Sequence, residues 1–273
     1  MKIGYQGSFG AYSEQAALRF APKEKTTLVQ FKNFSSVVNT LIKGEIDFGV
    51  LPVENALSGS IIENYNLLID KKLFIAKEVI LPIHHNLLGL PYSKIEDIKL
   101  VYSHPQALLQ CQKFITKYKL ETKVFYDTAA SAKKIKQTKD KSKAAIASVE
   151  AAMIYRLKIL KKDIEDNHNN FTRFWVVSTK MNTKGGKKAT IIVKLHHKKG
   201  SLVDFLTTIK EAGLNLTKIE SRPVIGSPWE YLFILDFGGD FKEPYISKAR
   251  SKTTFFRYLG SYVSDKAVGG TWS

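Results

Sequence analysis

Short apolar runs alternate with amphipathic stretches along residues 1–181 of the chain. The runs have the length and composition of buried strands, whereas the stretches between them repeat apolar positions every three or four residues, as helices do. The predicted strands are Lys2–Tyr5, Thr27–Phe31, Phe48–Pro52, Phe74–Leu81, Leu87–Leu90, Leu100–Ser103, Lys123–Tyr126, Ala144–Ile146 and Phe174–Thr179. The predicted helices are Ser13–Phe20, Phe34–Lys43, Asn64–Asp70, Pro105–Tyr118, Ala129–Thr138 and Val149–Tyr155. This alternation predicts an α/β sheet covered on both faces.

The pattern changes at Asn182–Lys188, where apolar periodicity vanishes and two glycines occur. We interpret this segment as a linker. Beyond it the predicted elements are the strand Thr190–His196, the helix Ser201–Glu211, the strands Leu216–Pro223 and Tyr231–Phe237, the helix Tyr245–Arg257 and a short strand near Ser261–Ser264. This strand-helix-strand-strand-helix-strand order is typical of a small ferredoxin-like domain.

The chain has 273 residues and an apolar share of 44%, enough for packed cores in one large or two ordinary domains. No apolar run approaches the roughly 20 residues of a membrane span, and Met1–Gly4 leads into a strand without a charged leader or an apolar signal region. We therefore expect a cytoplasmic protein with no membrane partner. The single cysteine, Cys111, has no second thiol for a disulfide or a thiolate metal site, and its apolar helical surroundings predict core packing.

A formal net charge of +17 raises the hypothesis of nucleic-acid binding, because clustered basic residues bind phosphates. The distribution of charge argues against it. Only six of the 42 basic residues are Arg, the residue that dominates base readout, and the Lys residues are spread along the chain. We expect no nucleic-acid partner and a Lys-rich surface whose field could steer an anionic substrate.

The segment Asn169–Val177 combines a polar pair, a hydroxyl, a cation and an aromatic ring directly before an apolar run. Such a run can hold side chains at the mouth of a pocket, where Thr172 can donate or accept a hydrogen bond and Arg173 can bind a carboxylate. Alternatively, Arg173 forms a salt bridge that holds its loop, with Asp127 or Glu54 as its partner. Other polar motifs also follow predicted strands, and ligands of open α/β sheets bind beyond the carboxyl ends of strands.

Six motifs occur in one order along the chain: Gly4–Ala17, Leu51–Ser60, Ser103–Leu108, Asp127–Ala132, Ala144–Ser148 and Thr172–Phe174. Together they resemble the prephenate dehydratase family, and the tail segment Gly213–Pro223 is similar to the regulatory ACT domain of that family. The resemblance covers nearly the whole chain. It implies an α/β fold with a two-lobed, periplasmic-binding-protein-like catalytic domain followed by a ferredoxin-like ACT domain.

The resemblance and the pattern of elements together predict the boundaries of the domains. Residues 1–181 form the catalytic domain, with lobe 1 at about 1–78 and 161–181 and lobe 2 at about 79–160. Residues 182–188 are the linker, and residues 189–273 are the ACT domain. Because no chorismate mutase helix bundle precedes Ile3, we expect a monofunctional enzyme.

The resemblance also implies the substrate, prephenate, which carries two carboxylates and a ring hydroxyl opposite its quaternary carbon. Loss of one carboxylate as carbon dioxide sends electrons through the ring and expels the hydroxyl, giving phenylpyruvate. Because the ring is the electron sink, we expect no cofactor and no metal. The histidines show no helical metal-binding motif and have no companion cysteines; they are His84–His85, His104, His168 and His196–His197.

The family's motifs imply a set of site residues. Those in the expected catalytic group are Glu54, Asn55, Thr172, Arg173 and Phe174. Those expected to bind substrate are Ser13, Ser103, His104, Gln106, Thr128, Ala129 and Ser148. Thr172 matches the family's essential threonine and is expected to hydrogen-bond the leaving oxygen. The hydroxyls of the second group could equally cap the helices that follow them. An ionised Glu54 beside a dianion costs energy, so we expect it to be protonated, paired with a cation or turned outward.

A second set of residues is expected to bind a regulatory phenylalanine. Its members are Gly200, Ser201, Leu202, Asn215, Leu216, Glu220 and Ser221. A free amino acid needs acceptors for its ammonium group and donors for its carboxylate, and this set offers both. ACT domains usually pair side by side, so the resemblance implies a homodimer or a homotetramer. The alternative is a dimerisation domain without a ligand.

Two other functions stay open. The segment Gly7–Ser13 is closer to the version found in plant arogenate dehydratases than to the other common form, so arogenate is an alternative substrate. A two-lobed cleft with an ACT tail could also bind an amino acid without reacting, as a non-catalytic sensor.

Overall fold

The computed structural model describes every residue except 22, 23, 25, 183, 184, 225 and 266–273. The strands are β1 (Lys2–Gln6), β2 (Thr27–Phe31), β3 (Phe48–Asn55), β4 (Gly59–Ser60), β5 (Phe74–Pro82), β6 (Asn86–Gly89), β7 (Leu100–Ser103), β8 (Glu121–Val124), β9 (Lys143–Ala147), β10 (Lys158–Lys161), β11 (Phe171–Ser178), β12 (Lys188–Leu195), β13 (Asn215–Val224), β14 (Ser227–Gly238) and β15 (Thr253–Ser264). The helices are α1 (Tyr12–Phe20), α2 (Phe34–Ile42), α3 (Ile62–Ile69), α4 (Pro105–Gln110), α5 (Gln112–Lys117), α6 (Thr128–Thr138), α7 (Val149–Tyr155), α8 (Ser201–Glu211) and α9 (Tyr245–Ser251). None of the helices in the described ranges is long and apolar enough to cross a membrane.

The chain divides into two compact units. Unit 1 comprises Met1–Asn64 and Ile80–Phe174, and unit 2 comprises Tyr65–Val79 and Trp175–Ser273. In unit 1, β1 pairs in parallel with β2 on one side and β3 on the other, and β4 pairs antiparallel with the end of β3. Successive residues of β3 are buried, as expected for a parallel strand with both faces covered.

Unit 1 contains a second sheet, with strand order β10-β6-β9-β7-β8. The strands β9, β7 and β8 run parallel to one another, whereas β10 and β6 pair antiparallel. Alternate residues of each strand enter separate apolar clusters: Leu88 and Ala145 pack with α6 and α7, whereas Leu87 and Ile146 pack with α4 and α5. Because side chains alternate between the two faces of a strand, these two clusters show that helices cover both faces of the sheet. The predicted α/β class is confirmed.

Unit 2 contains the strand-helix-strand-strand-helix-strand order predicted for the tail. Its antiparallel strands lie in the order β13-β14-β12-β15, and Val263 of β15 pairs in parallel with Lys77 of β5. The helices α8 and α9 cover one face, where Phe205, Phe237 and Phe241 are buried in one apolar cluster. The predicted ferredoxin-like topology is confirmed.

Several element boundaries differ from the predictions. The predicted helix Tyr245–Arg257 ends at Ser251, because Thr253–Ser264 is a strand rich in the aromatic and β-branched residues that sheets favour. The predicted helix Pro105–Tyr118 is two short helices that meet at Cys111, whose φ of −115° and ψ of 24° are not helical. The strand β10 was not predicted. Two residues of the predicted linker, Thr183 and Lys184, lie outside the described residues. Residues 266–273, at the end of the predicted ACT domain, also lie outside them.

Candidate active site

A cleft of about 550 Å³ opens within unit 1, lined from the sides of both of its sheets. The predicted site residues that line it are Ser13, Asn55, His104, Gln106, Thr128, Thr172 and Phe174. They come from the start of α1, the end of β3, the region of α4, the start of α6 and the start of β11. Segments far apart in sequence thus converge on one hollow, as the motif order predicted.

Asn55 is the centre of a buried hydrogen-bond cluster at the floor of the cleft. Its Nδ2 donates to Thr172 Oγ1 at 3.0 Å, to Asn170 Oδ1 at 2.7 Å and to the carbonyl oxygen of Phe171 at 3.2 Å. Its Oδ1 accepts from the backbone N–H of Leu57 at 3.0 Å and from Ser58. Because a backbone N–H can only donate and a carbonyl can only accept, these contacts fix which end of the amide is which.

The cluster continues away from Thr172 through two further residues. Asn170 Nδ2 donates to Gln110 Oε1 at 2.9 Å, and the same oxygen lies 2.9 Å from His85 Nε2. Since Gln110 Oε1 only accepts, His85 donates from Nε2 and its Nδ1 carries no hydrogen. Both Gln110 and His85 line the cleft. Sequence reasoning missed them, although Gln110 lies four residues after Gln106 and so on the same face of a helical segment.

Two histidines of the cleft are held in the neutral form. Burial lowers the pKa of His85, and this outweighs the opposing effects of Gln110 and Glu165. Burial also lowers the pKa of His104, against a smaller opposing effect of Asp127. His104 Nδ1 accepts from the backbone N–H of Gln106 at 3.2 Å and caps α4, a role predicted for Ser103. At neutral pH these imidazoles therefore contribute hydrogen bonds rather than charge.

The starts of α1 and α6 present backbone amides to the cleft. The cap of α1 is Ala11 rather than the predicted Ser13, which lies inside the first turn and lines the cleft. The cap of α6 is Asp127, whose Oδ1 accepts from the N–H of Ala130 at 2.5 Å, so the predicted cap Thr128 is one residue too late. The partial positive charge at a helix start favours an anionic ligand.

Arg173 and Glu54 form an ion pair with each other, and neither lines the cleft. Residues alternate between the two faces of a strand, so Thr172 and Phe174 of β11 point into the cleft while Arg173 between them points away. The expectation that Glu54 is paired with a cation or turned outward is confirmed, and the alternative reading of Arg173 as a salt-bridge partner of Glu54 is correct. The anchoring of a substrate carboxylate by Arg173 stays a prediction without support from this geometry.

Three other predicted substrate-binding residues have structural contacts and do not line the cleft. Ser103 Oγ donates to the carbonyl oxygen of Ile146 at 2.6 Å. Ser148 caps α7 and its Oγ donates to the carbonyl oxygen of Gly10 at 2.9 Å, so the capping alternative holds for this residue. Ala129 is completely buried in an apolar cluster.

The cleft is lined by neutral donors and few charges. Among the lining residues in the described part of the chain there is no Lys or Arg, and the carboxylates are Glu63 and Asp127. The Asp127 carboxylate already accepts from the backbone N–H of Ala130 in the first turn of α6 and, at 3.2 Å, from both the N–H and the hydroxyl of Ser8. These donors offset its charge.

The predicted effector residues lie in unit 2 but do not all share one cavity. Ser201 and Leu202, at the start of α8, line a second cleft of about 580 Å³ together with Trp229 and Tyr231. The predicted residues of β13 do not line it, and Glu220 lies 3.1 Å from Lys218 in an ion pair. A single chain thus brings together only part of the predicted effector set.

Known proteins with similar sequences support the resemblance stated from the motifs. A family model described as Prephenate dehydratase matches residues 3–182. Arogenate dehydratase 2 of Petunia hybrida is 37% identical, and the match covers 98% of this chain and 73% of that protein. The bifunctional chorismate mutase/prephenate dehydratase of Escherichia coli (strain K12) is 32% identical, with 98% of this chain and 72% of that protein covered.

A solved structure agrees in fold along nearly the whole chain. It is the prephenate dehydratase from Arthrobacter aurescens in complex with L-Phe, which superposes with a TM-score of 0.86 at 27% identity. The match covers 96% of this chain and 90% of the other. The family model spans well over half of the chain, and its matched segment contains the cleft with Asn55 and Thr172. The chain therefore belongs to the prephenate dehydratase family of lyases.

Proposed function

We propose that the unit 1 cleft binds prephenate and converts it to phenylpyruvate. The bond between the quaternary carbon and its carboxylate breaks, its electron pair moves through the ring diene, and the ring hydroxyl leaves as the ring becomes aromatic. The products are phenylpyruvate, carbon dioxide and, once the departing hydroxide gains a proton, water. The protein's task is to hold the dianion and to assist departure of the hydroxyl.

The observation that carries this proposal is the hydrogen bond from Asn55 Nδ2 to Thr172 Oγ1. Because Thr172 Oγ1 accepts from the amide, its own hydrogen is left to donate into the cleft that the residue lines. A hydroxyl so oriented can donate to the leaving oxygen of the substrate and stabilise the charge that develops there. Thr172 is a weak acid, so polarisation of the leaving oxygen or a proton relay fits better than complete transfer of the proton.

Neutral groups hold the substrate carboxylates in this proposal. The first turns of α1 and α6 supply backbone amides, and Gln106 and Gln110 supply side-chain amides. The Gln110 amide has its oxygen turned toward Asn170 and His85, which leaves its NH₂ group to donate. The predicted role of Arg173 as an anchor is retained as a prediction only, and Arg173 and Glu54 are assigned to holding the end of β3 against the start of β11.

Turnover of prephenate by the purified chain tests the proposal. Prephenate and arogenate are supplied side by side, and formation of phenylpyruvate or phenylalanine is followed. We expect prephenate to be the better substrate. Arogenate is the second candidate, because the petunia relative is named for it. Binding of either compound without product would instead support the non-catalytic sensor.

We further propose that residues 189–273 are an ACT domain that binds phenylalanine, with residues 182–188 as the linker and residues 1–181 as the catalytic domain. The ferredoxin-like topology of β12 to β15 supports this assignment, and the Arthrobacter aurescens relative was solved with L-Phe. Inhibition requires that phenylalanine bind one arrangement of the protein better than another. Calorimetry with phenylalanine is the test, and absence of binding heat at millimolar concentration would reject it.

We also propose that the protein forms a homodimer or a homotetramer and that it is located in the cytoplasm. ACT domains pair in symmetric assemblies, and a second chain could supply the residues missing from the cleft beside Ser201 and Leu202. Light scattering on the eluting protein measures the assembly directly. A monomeric mass would remove the expected shared effector site.

A further inference from the structure

Glu165 is a buried carboxylate surrounded by groups that can bind a metal. It lies between β10 and β11 with 4% of its surface exposed. Its Oε1 is 2.8 Å from His84 Nδ1 and 3.2 Å from His168 Nδ1, and Asp163 Oδ1 is 3.9 Å from His84 Nδ1. The ligand atoms of His84, Asp163 and Glu165 all lie within 4.8 Å of one another. None of these four side chains lines the unit 1 cleft.

We propose that His84, Asp163 and Glu165 form a binding site for a divalent transition-metal cation of the zinc class, with His168 beside Glu165 but outside the set of ligands. Bonds of about 2.0–2.2 Å to nitrogen and oxygen place the ligand atoms of a tetrahedral site roughly 3.3 Å apart. The separations of 2.8 Å between His84 Nδ1 and Glu165 Oε1 and of 3.9 Å between His84 Nδ1 and Asp163 Oδ1 bracket that value. The side chains of His84 and Asp163 are 46% and 55% exposed, so they have room to close the longest gap.

Because the Glu165 carboxylate is buried, its negative charge favours the binding of a cation at this site. A carboxylate removed from water needs opposite charge or several hydrogen bonds. In the described part of the chain its ion-pair partners are the two imidazoles, which carry a full charge only when protonated. A cation between the His84 imidazole and the carboxylate would replace the shared hydrogen at that position.

The surroundings also hold Glu165 in the orientation that a metal ligand needs. The backbone N–H of His85 donates to Glu165 Oε2 at 2.9 Å, which leaves Oε1 directed at the two imidazoles. Such second contacts to a ligating carboxylate fix its position. One imidazole and two carboxylate ligands, with a fourth position left for water, suit Zn²⁺ or Co²⁺, whereas Ca²⁺ and Mg²⁺ require six or more oxygen ligands or several waters.

This site departs from the expectation of no metal. That expectation was based on the histidines and their neighbours along the sequence. The residues that lie close to His84 at this site come from the segment 163–168, about 80 residues later. The fold brings the two segments together at the junction between β5 and β6. The site lies directly behind His85 and would tie the segment 163–168 to that junction, without entering the reaction.

Metal binding by the full chain tests the proposal. The purified protein, freed of metal with a chelator, is titrated with Co²⁺ alone and with Zn²⁺ in competition with a chromophoric chelator. We expect one cation per chain at this site, a visible Co²⁺ spectrum of tetrahedral intensity and a rise in the thermal midpoint with Zn²⁺. His84→Asn and Asp163→Asn should each weaken binding by about tenfold or more, since both side chains are exposed and their loss leaves the fold intact.

His197→Asn is the matched control, because His197 is an exposed histidine of unit 2. It should bind the metal as the parent does. Equal affinity in the parent, Asp163→Asn and His84→Asn would identify scattered surface binding and reject the site. The buried ligand is tested with Glu165→Gln, with circular dichroism as the check on folding. A folded Glu165→Gln protein that retains the Co²⁺ spectrum would likewise overturn the proposal.

Discussion

Thr172 is the residue on which the proposed reaction depends most directly. Its hydroxyl accepts from Asn55, and the residue is 8% exposed and lines the cleft. The orientation of that hydroxyl is set by backbone groups two and three residues after Asn55, so it exists before the substrate arrives. Preorganised donors of this kind need no rearrangement as charge develops.

Thr172→Val removes this hydroxyl and keeps the shape of the side chain. We expect kcat to fall by about 10²–10³, the usual effect of losing one preorganised donor, with a cooperative unfolding transition retained. Thr172→Ser is the control, because it restores the hydroxyl and should recover most of the turnover. Phenylpyruvate formation measures both variants. Near-normal kcat in Thr172→Val would remove Thr172 from the centre of the mechanism.

His85 makes stability depend on pH in a defined direction. Its pKa is lowered by burial from an ordinary value of 6.5, so below that pH the unfolded chain takes up a proton that the folded chain does not. The free energy of unfolding is therefore unaffected above about pH 6.5 and falls as the pH drops toward the folded-state pKa, by up to about 1.4 kcal/mol per pH unit. Urea unfolding at pH 7.5, 6.5 and 5.5 measures this slope.

His85→Gln should show a shallower slope over the same range, because the titrating group is gone. His104 has its pKa lowered in the same way and remains in the variant, so part of the slope should persist. An identical slope in both proteins would show that His85 does not titrate differently on folding.

Site residues were predictable where a motif carried them and not where only the fold did. Asn55, Gln106 and Thr172 were found from their motifs and do line the cleft. Arg173 was predicted to face the substrate because the strand was expected to begin at Phe174, which treated Arg173 as part of a loop. The strand β11 begins at Phe171, so the two-residue alternation already applies there.

At the scale of elements, the loop between β1 and α1 follows the first sheet of unit 1 and contacts α7, which packs on the second sheet. Gly10 has φ of +89°, and a Cβ built on it would lie 2.8 Å from Cα and 3.0 Å from N of Ala151 at the start of α7. Its carbonyl accepts from Ser148, and its N–H donates to Glu14 Oε2 at 2.5 Å. This close approach fixes the loop that leads to the cleft residues of α1.

Gly10→Ala should be more destabilising than Gly44→Ala by about 1–3 kcal/mol, the usual cost of overpacking. Gly44 is the matched control, because its φ is +74° but a Cβ there would meet nothing within 4 Å. Both variants share the backbone strain, about 1–2 kcal/mol in the left-handed region, so their difference reports the contact with Ala151. Urea unfolding gives the two values, and equal losses would show that α7 moves aside.

The elements themselves were predictable where one period dominates. The helix Ser201–Glu211 was predicted with both ends correct, because its apolar residues repeat on one face. The helix predicted over Tyr245–Arg257 was too long, because the aromatic-rich segment Thr253–Ser264 follows the helix directly. No turn signal marks the change from the helical period to the strand period. The pairing of β15 with β5 is a long-range contact that no local pattern contains.

At the scale of the whole molecule, the net charge of +17 and the neutral donors of the cleft, which also contains the carboxylates Glu63 and Asp127, contribute differently to attracting a dianion. The basic surface acts at a distance and is screened within about 10 Å at 0.1 M salt. The neutral donors and helix starts act only at contact. We interpret the charge as accelerating encounter rather than as holding the substrate.

We therefore expect kcat/KM to fall several-fold as salt rises from about 20 mM to about 200 mM, while kcat stays nearly constant. Initial rates at low and at saturating prephenate separate the two quantities, with viscosity matched across the series as the control. A kcat/KM that does not change with salt would mean that the charge has no part in substrate capture.

The absence of Lys and Arg from the cleft lining in the described residues bears on product release. A fixed cation would hold the remaining carboxylate of phenylpyruvate almost as firmly as it held the starting dianion. Amides and hydroxyls depend on a full set of complementary acceptors, and decarboxylation with loss of the ring oxygen removes two of them. We therefore expect phenylpyruvate to make fewer contacts with the cleft than prephenate and to dissociate more readily.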